Sequence, residues 1–573
     1  MSSSRTYRLA IRRFAALALA MLLVSPSLAF AQSEAGAPFV SQTRTELQAE
    51  LQAAFAETDE PVGNGDGIYI SSATSDLQGL NPFLVESDPS FSVVGLIFDS
   101  LFGSDPRTGE PSAGGLTDYY EISADRLTYT FHLNQDATWH DGVDVTADDV
   151  VFSLDALADE ATGSVYTGSF TSTVASYRAV DEHTVEIVAY EPRFTVLYDL
   201  GGLYIVPKHI WESVPHADWR ADPGATGEDP SRVIGSGAFK FESWTPGQEV
   251  KLVRNEAYFD IPSNYSEYIF RIYPDSESEF NAFLDGDLDV IGLEASQVET
   301  VQGVEGLNYT TYPARGFTYY EFNLNSDVRT KFLDPKVRQA FMWALDRESI
   351  VRDIRLGYGE VANGTHPSAS YAYAPDRMNT TYTYDPDKAI ALLAEAGWTD
   401  TDGDGIVDKD GEAMTVEFLY PSGSAESDTM VAYMQDAWKA VGIDMQPQAL
   451  EFSALIEATT TNLEWDMAMY GFSWDATFVQ DAMFACDQYQ VGFNDMKYCN
   501  EELDALFDQI ELEFDVEKRV DLMVQAANIV NDEQPIGVLY FGVSIAAWSP
   551  RIHNYNPGTW GNQSHLGTWV DAD

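Results

Sequence analysis

The sequence predicts an α/β protein, on three observations. Strand-like and helix-like stretches alternate along the chain. One stretch, Leu127–Leu157, reads as strand, turn and capped helix in direct succession. A hydrophobic content of 45% and an aromatic content of 13% over 573 residues are enough for large cores. Within Leu127–Leu157, Tyr129, Phe131 and Leu133 alternate with Thr130 and His132, the period of a half-buried strand. Trp139-His140-Asp141-Gly142 follows as a turn, with Gly142 free to take positive φ. Thr146 then offers a hydroxyl to the first free amides of a helix, whose positive end suits Asp148 and Asp149. Val150, Leu154 and Leu157 fall on one apolar face of that helix.

The remaining elements follow in chain order. Arg5, Arg8, Arg12 and Arg13 precede the apolar run Phe14–Val24, which is short for a bilayer span, and Ala29-Phe30-Ala31 is an A-x-A cleavage site. Residues 1–31 therefore read as a signal peptide, and the mature chain is expected outside the cytoplasm, periplasmic or secreted. No Cys lies near the cut, so lipid anchoring is not expected. Residues 32–59 are polar and Ala/Glu-rich and read as a mobile leader, in which Thr45–Phe55 has the pattern of a short helix. Ile68-Tyr69-Ile70 starts the first strand. Phe91–Leu101 reads as a helix with Val94, Phe98 and Leu101 on one face. Val180–Ala189 and Tyr319–Asn325 alternate as strands. Tyr384–Trp398 is a helix that Asp385 caps and Gly397 ends. Met414–Leu419 and Asp466–Phe472 read as strands, Glu501–Val530 as helical, and Val538–Ala547 as a buried strand.

Charge and motif narrow the function. With 32 Lys+Arg against 91 Asp+Glu, the formal charge is −59, which repels phosphate backbones and anionic lipid and excludes nucleic acid as a partner. Such a surface either keeps the protein soluble in a saline habitat or attracts cationic solutes. Cys486 and Cys499 are the two cysteines, expected as one disulfide in an oxidising compartment. Closing so short a loop contributes about 3 kcal/mol in the chain-entropy model. There is no G-x-S-x-G, H-E-x-x-H, Walker loop or CxxC, and His132 and His140 read as structural, so no catalytic residue is assigned. Asp400–Asp408, DTDGDGIVD, places Asp400, Asp402, Asp404 and Asp408 around glycines like an oxygen cage for structural Ca²⁺. The full EF-hand pattern wants Glu where Gly411 stands, and Glu412 is one place late. No cofactor is required.

Leu127–Leu157, LTYTFHLNQDATWHDGVDVTADDVVFSLDAL, closely resembles the signature of the family 5 extracellular solute-binding proteins, the peptide- and nickel-type receptors of ABC importers. The resemblance runs from about residue 67 to the C-terminus. It includes Gly235-Ser236-Gly237-Ala238-Phe239, the helix DPKVRQAFMWALDRESI at Asp334–Ile350, and YDPDKAIALLAEAGW at Tyr384–Trp398. It implies a type II periplasmic-binding-protein fold with two hinged lobes plus an extra domain. Lobe I is expected at 60–98, 230–324 and 542–573, lobe II at 99–229 and lobe III at 325–541. It also implies a monomer that holds a peptide or peptide-like solute between lobes for a membrane permease. By the same resemblance, Glu86, Asp88 and Tyr166 face the ligand from one side. From the other come Phe452, Gly471, Ser473, Trp474, Asp475 and Tyr540, with Gly471 and Ser473 offering backbone groups and Asp475 a charge for an α-ammonium. The Arg by which some peptide-binding relatives take a ligand carboxylate is missing near Thr459 and Met469; Arg315 and Arg377 are substitutes. An oligosaccharide or a metal chelate on the same scaffold, or a secreted hydrolase, are the alternatives.

Overall fold

Residues 38–54, 67–463, 465–489, 492–562 and 569–570 are described in the structure, a computed structural model. The expected signal peptide and the ends of the expected leader lie outside these residues. Tyr129, Phe131 and Leu133 are fully buried on the strand Thr128–Leu133, and the turn after it puts Gly142 at φ +87. The helix Ala147–Ala158 follows, with Val150, Leu154 and Leu157 buried. Thr146 and Asp149 close a capping box: the Thr146 side chain takes the Asp149 backbone N–H, and the Asp149 carboxylate accepts from the Thr146 backbone N–H at 2.9 Å and from its hydroxyl at 3.2 Å. The other Asp149 oxygen accepts from Lys208 N–H at 2.9 Å, which ties the helix to the chain beyond it.

Three sheets organise the molecule. A five-stranded antiparallel sheet runs Phe39–Val40, Thr117–Ile122, Thr128–Leu133, Thr184–Ala189, Val174–Asp181. The alternation read over Val180–Ala189 is thus the second half of a hairpin that turns at Glu182-His183. A four-stranded sheet runs Ile68–Ala73, Glu267–Ile272, Glu249–Arg254, Phe239–Thr245. A seven-stranded mixed sheet runs Val290–Gly292, Ile536–Trp548, Asn308–Phe322, Met467–Ser473, Thr415–Pro421, Asp444–Leu450, with Gly359–Val361 also on Ile536–Trp548. One core joins the first two sheets, and a second underlies most of the seven-stranded sheet. Phe194, from the chain between the first two sheets, is buried in the second core.

The leader is corrected. Residues 38–54 are not loose: Phe39–Val40 pairs with Glu121 and Ile122, and Arg44–Ala54 is helical. The Arg44 guanidinium holds this segment by bonding Asp118 at 3.3 Å, the Gly115 carbonyl at 2.5 Å and Asp260. An Ala/Glu-rich stretch reads as soluble linker until one buried arginine finds partners distant in sequence.

Three expected helices have different bounds. The first runs Asp88–Ile97, so Phe98 and Leu101 are buried beyond its end. The second is Pro335–Trp343, capped by Asp334 and followed by a separate turn at Arg347–Ser349. Glu501–Val530 is two helices, Glu501–Leu512 and Val516–Glu533, because Asp515 accepts from Glu517 N–H at 3.1 Å and starts a new one. At Gly235 and Gly237 the chain crosses so close to Ile97 that a Cβ on Gly235 would lie 1.8 Å from the Ile97 carbonyl oxygen. His140 pins this crossing: its N–H donates to Gly235 O at 2.8 Å and its ring meets Gly237 O at 3.0 Å. Burial pushes His140 down to about 4, in keeping with a structural role. Cys486 and Cys499 are bonded. Among the described residues no helix is long and apolar enough to cross a membrane.

Candidate functional site

The strand Met467–Ser473 has one covered edge and one bare edge. Along its whole length it pairs with Asn308–Phe322, from Met467↔Phe322 to Ser473↔Gly316. On the other side Thr415–Pro421 reaches only Met467 and Ala468. From Met469 to Ser473 no strand among the described residues covers that side. Trp474 N–H donates to Arg315 O at 3.2 Å, so its main chain faces the covered edge. Strand alternation then turns the main-chain groups of Gly471 and Ser473 toward the bare edge. Both residues are exposed.

The rings around this strand hold its end in place. Trp474 is 3% exposed, donates its ring N–H to Thr365 O at 3.3 Å, and packs on Phe472 at 4.7 Å and Phe317 at 5.8 Å. It supports the strand from behind. Phe472 reaches the exposed Phe493 at 5.1 Å, and these two rings, not singled out by sequence reasoning, border the bare edge. Their signal was the G-F-S-W-D run itself, in which Phe472 lies between the two residues chosen for their backbone.

Asp475 stands exposed at the end of the strand. Its Oδ1 accepts from the Thr477 hydroxyl at 2.5 Å and Thr477 N–H at 2.9 Å, and Oδ2 has no hydrogen bond among the described residues. Asp199, on the helix Val196–Gly201, faces it from the part of the chain that carries the first core. Water reaches Asp199, yet protein on most sides and the charges of Asp475 and Asp481 push it up to about 6. Asp481 is raised by burial and by Asp475. Across the same junction Phe194 N–H donates to Glu511 O at 2.9 Å and Arg193 pairs with Glu511 at 3.2 Å. The region next to Asp475 is therefore rich in unneutralised carboxylate.

The other expected residues divide. Tyr166 is 38% exposed, and burial together with the Glu86 charge raises its phenol. Glu86 N–H donates to Gln78 Oε1 at 2.6 Å and its side chain is exposed, while Asp88 opens the helix Asp88–Ile97. Phe452 is 57% exposed at the start of a short helix. Tyr540 is 5% exposed beneath the Arg355 guanidinium, 5.2 Å from its ring, so it is a sheet residue covered by the Arg355–Glu426 pair rather than an open wall. Arg315 donates to Trp474 O at 3.3 Å and lies over Trp560 at 4.9 Å, near the site. Arg377 is bonded to Asp521 at 2.8 Å. In the acidic loop, single oxygens of Asp400, Asp402 and Asp408 lie within 4.8 Å of one another; Asp404 is not among them, and its carboxylate accepts from Ile406 N–H at 2.8 Å.

A strand edge bare over five residues, closed at one end by a carboxylate and bordered by rings, suits an extended guest read through its main chain. The comparisons agree. Residues 111–491 match the model of the bacterial extracellular solute-binding proteins, family 5 middle. The oligopeptide-binding protein AppA of Bacillus subtilis is 30% identical over 438 residues, 75% of this chain and 78% of AppA. The dipeptide-binding protein of Escherichia coli is 26% identical over 482 residues, 80% of this chain and 86% of that protein. The structure of Bacillus subtilis AppA in complex with a nonapeptide superposes with a TM-score of 0.77 at 26% identity, over 88% of this chain and 99% of that one. With a type II periplasmic-binding-protein fold and a family match across most of its length, the chain belongs to the family 5 bacterial extracellular solute-binding proteins.

Proposed function

We propose that the chain is the extracytoplasmic receptor of an ABC importer, which takes a peptide along the bare edge of Met467–Ser473 and hands it unaltered to a membrane permease. The bare edge ending at Asp475 carries this reading. Gly471 and Ser473 pair with the guest's main chain, which admits many side-chain sequences. The free Oδ2 of Asp475 takes the guest's α-ammonium, offsetting the hydration that group loses in a closed cleft. Glu86 and Asp88 contribute from lobe I and Tyr166 from lobe II.

The expected lobes, 60–98 with 230–324 and 542–573, 99–229, and 325–541, are part of the proposal. The strand Ile536–Trp548 passes from the third into the first, paired with Asn308–Phe322 of the first. Their pairing breaks between Pro313 and Phe317, opposite Gly542. That irregular level is the proposed hinge. The receptor acts as a monomer outside the cytoplasm, where the Cys486–Cys499 bond is stable. Isothermal titration with matched peptides tests the reading. Asp475→Asn should weaken peptides with a free amine by about tenfold or more and leave their N-acetylated forms nearly unchanged. Equal losses for both forms would remove Asp475 from the role, and no heat with any peptide would remove peptides as cargo.

The acidic loop is proposed as a structural Ca²⁺ site built on Asp400, Asp402 and Asp408. Calcium should then raise the melting temperature, and Asp400→Asn should abolish the rise. A melting curve indifferent to calcium and chelator would leave the loop as a solvated turn.

A further inference from the structure

Away from the bare edge, a cavity opens where three pieces of chain meet. They are the N-terminal segment, the chain around Glu110 with the helix Val196–Gly201, and the start of the helix Val516–Glu533. Phe39, Phe194, Leu197 and Phe514 give it apolar walls, and Glu110 and Arg519 line it as well. Arg519 is 7% exposed. One of its terminal N–H groups donates to Glu513 O at 2.9 Å, and the guanidinium lies over the Phe194 ring at 3.9 Å. Its Nε–H has no acceptor among the described residues. A buried, charged donor left without a partner is costly, and such groups usually mark a place where something binds.

The other charges nearby do not supply that acceptor. Arg107 grips Asp105 at 2.9 and 2.5 Å. Burial and the Asp105 charge push Glu110 up to about 7, against the pull of Arg519, so near neutrality about half of the molecules carry a proton there that can be donated. The cavity thus offers an apolar body and two donors. The protein's overall negative charge acts weakly over this distance at physiological salt, where screening sets in within about 8 Å.

We propose that this cavity is a second small-molecule site, which takes a monocarboxylate with an aliphatic or aryl body, its oxygens accepting from the Arg519 Nε–H. It is separate from the peptide edge. Tyr371 stands between them, donating its hydroxyl to Thr477 O at 2.7 Å while the Arg519 guanidinium lies 5.5 Å from its ring. A bound acid touches the N-terminal segment and both cores at once, so it also fastens that segment in place.

The test is isothermal titration of the full chain with decanoate and with phenylbutyrate, alone and in excess of a nonapeptide mixture. The expected result is saturable binding of one acid per chain that persists in excess peptide. Arg519→Gln should weaken it by about tenfold or more. Leu197→Trp, which puts a large ring into the cavity, should abolish it; thermal melts establish that each variant folds. Absence of binding to the unmodified chain would overturn the site. So would displacement by the peptides, or unchanged acid affinity in a folded Leu197→Trp variant.

Discussion

Arg347 carries more of this structure than any residue at the candidate site. It is buried, and its guanidinium donates to Tyr382 O at 2.7 Å, Val538 O at 3.0 Å and the Ala362 carbonyl. Three segments distant in sequence meet on one side chain, and burial pushes its pKa down to about 10, which leaves it charged. Arg338, earlier in the same motif, likewise donates to Glu533 O at 2.8 Å and Phe332 O at 2.6 Å. The stretch Asp334–Ile350, part of the family resemblance, is therefore a set of structural clamps. Arg347→Met should keep the side-chain volume, strand three carbonyls and lower unfolding free energy by roughly 2–4 kcal/mol, readable by urea denaturation. At this scale the sequence was legible where a residue answers to its chain neighbours. Gly142 and Gly397 take positive φ, Asp385 caps its helix and Cys486 meets Cys499. Trp474 and Tyr540 were not legible, because what covers them, Thr365 and Arg355, arrives from other elements.

Among the elements, the pair Asn308–Phe322 and Met467–Ser473 sets the geometry of the candidate site. Gly316 lets them close up at its end: a Cβ there would lie 2.3 Å from Phe472 O and 2.6 Å from Ser473 Oγ. Gly316→Ala should push Ser473 away from its partner, cost about 1–3 kcal/mol in stability and weaken peptide binding together with it. A calorimetric melt and a titration on the same preparation would check this, and an unaltered melting temperature would mean the strands have slack. Period-2 alternation marked Met467–Ser473 as a strand, but no period tells which edge stays bare. That follows from Thr415–Pro421 ending its pairing at Ala468, a fact of three-dimensional register. Helix lengths failed for a local reason instead: Asp515 and Asp334 are caps lying inside or beside apolar periodicity, and caps override it.

Over the whole molecule, raised carboxyls and lowered histidines set the response to pH. Burial, opposed by Arg193, takes Glu511 up to about 7, and burial takes Asp495 up to about 6; Asp199 and Glu110 are also raised. Each keeps its proton longer in the folded state, so stability falls as pH climbs through the window between the ordinary carboxyl value and the raised one. His140 and His366, both pushed down to about 4 by burial, act oppositely: stability falls as pH drops below the ordinary imidazole value. The melting temperature should therefore rise as pH is lowered from about 8 to about 5, because the four raised carboxyls outweigh the two lowered histidines across that window. A monotonic rise in melting temperature with pH would contradict this. Three lobes were expected from resemblance; among the described residues the side chains collect into two large cores and a small third one. Hydrophobic content bounds how much is buried, and only the chain's path, with Phe194 crossing to the second core, decides how it is shared.

A strand with one naked side is a template, and the nearest chain able to complete it is ordinarily another copy of itself. Here every copy brings the same charge of −59, so in dilute buffer, where screening is weak, two molecules repel before their edges meet, while a short guest of little charge does not. The acidity that first looks like mere adaptation to brine thus disfavours self-pairing wherever salt is low.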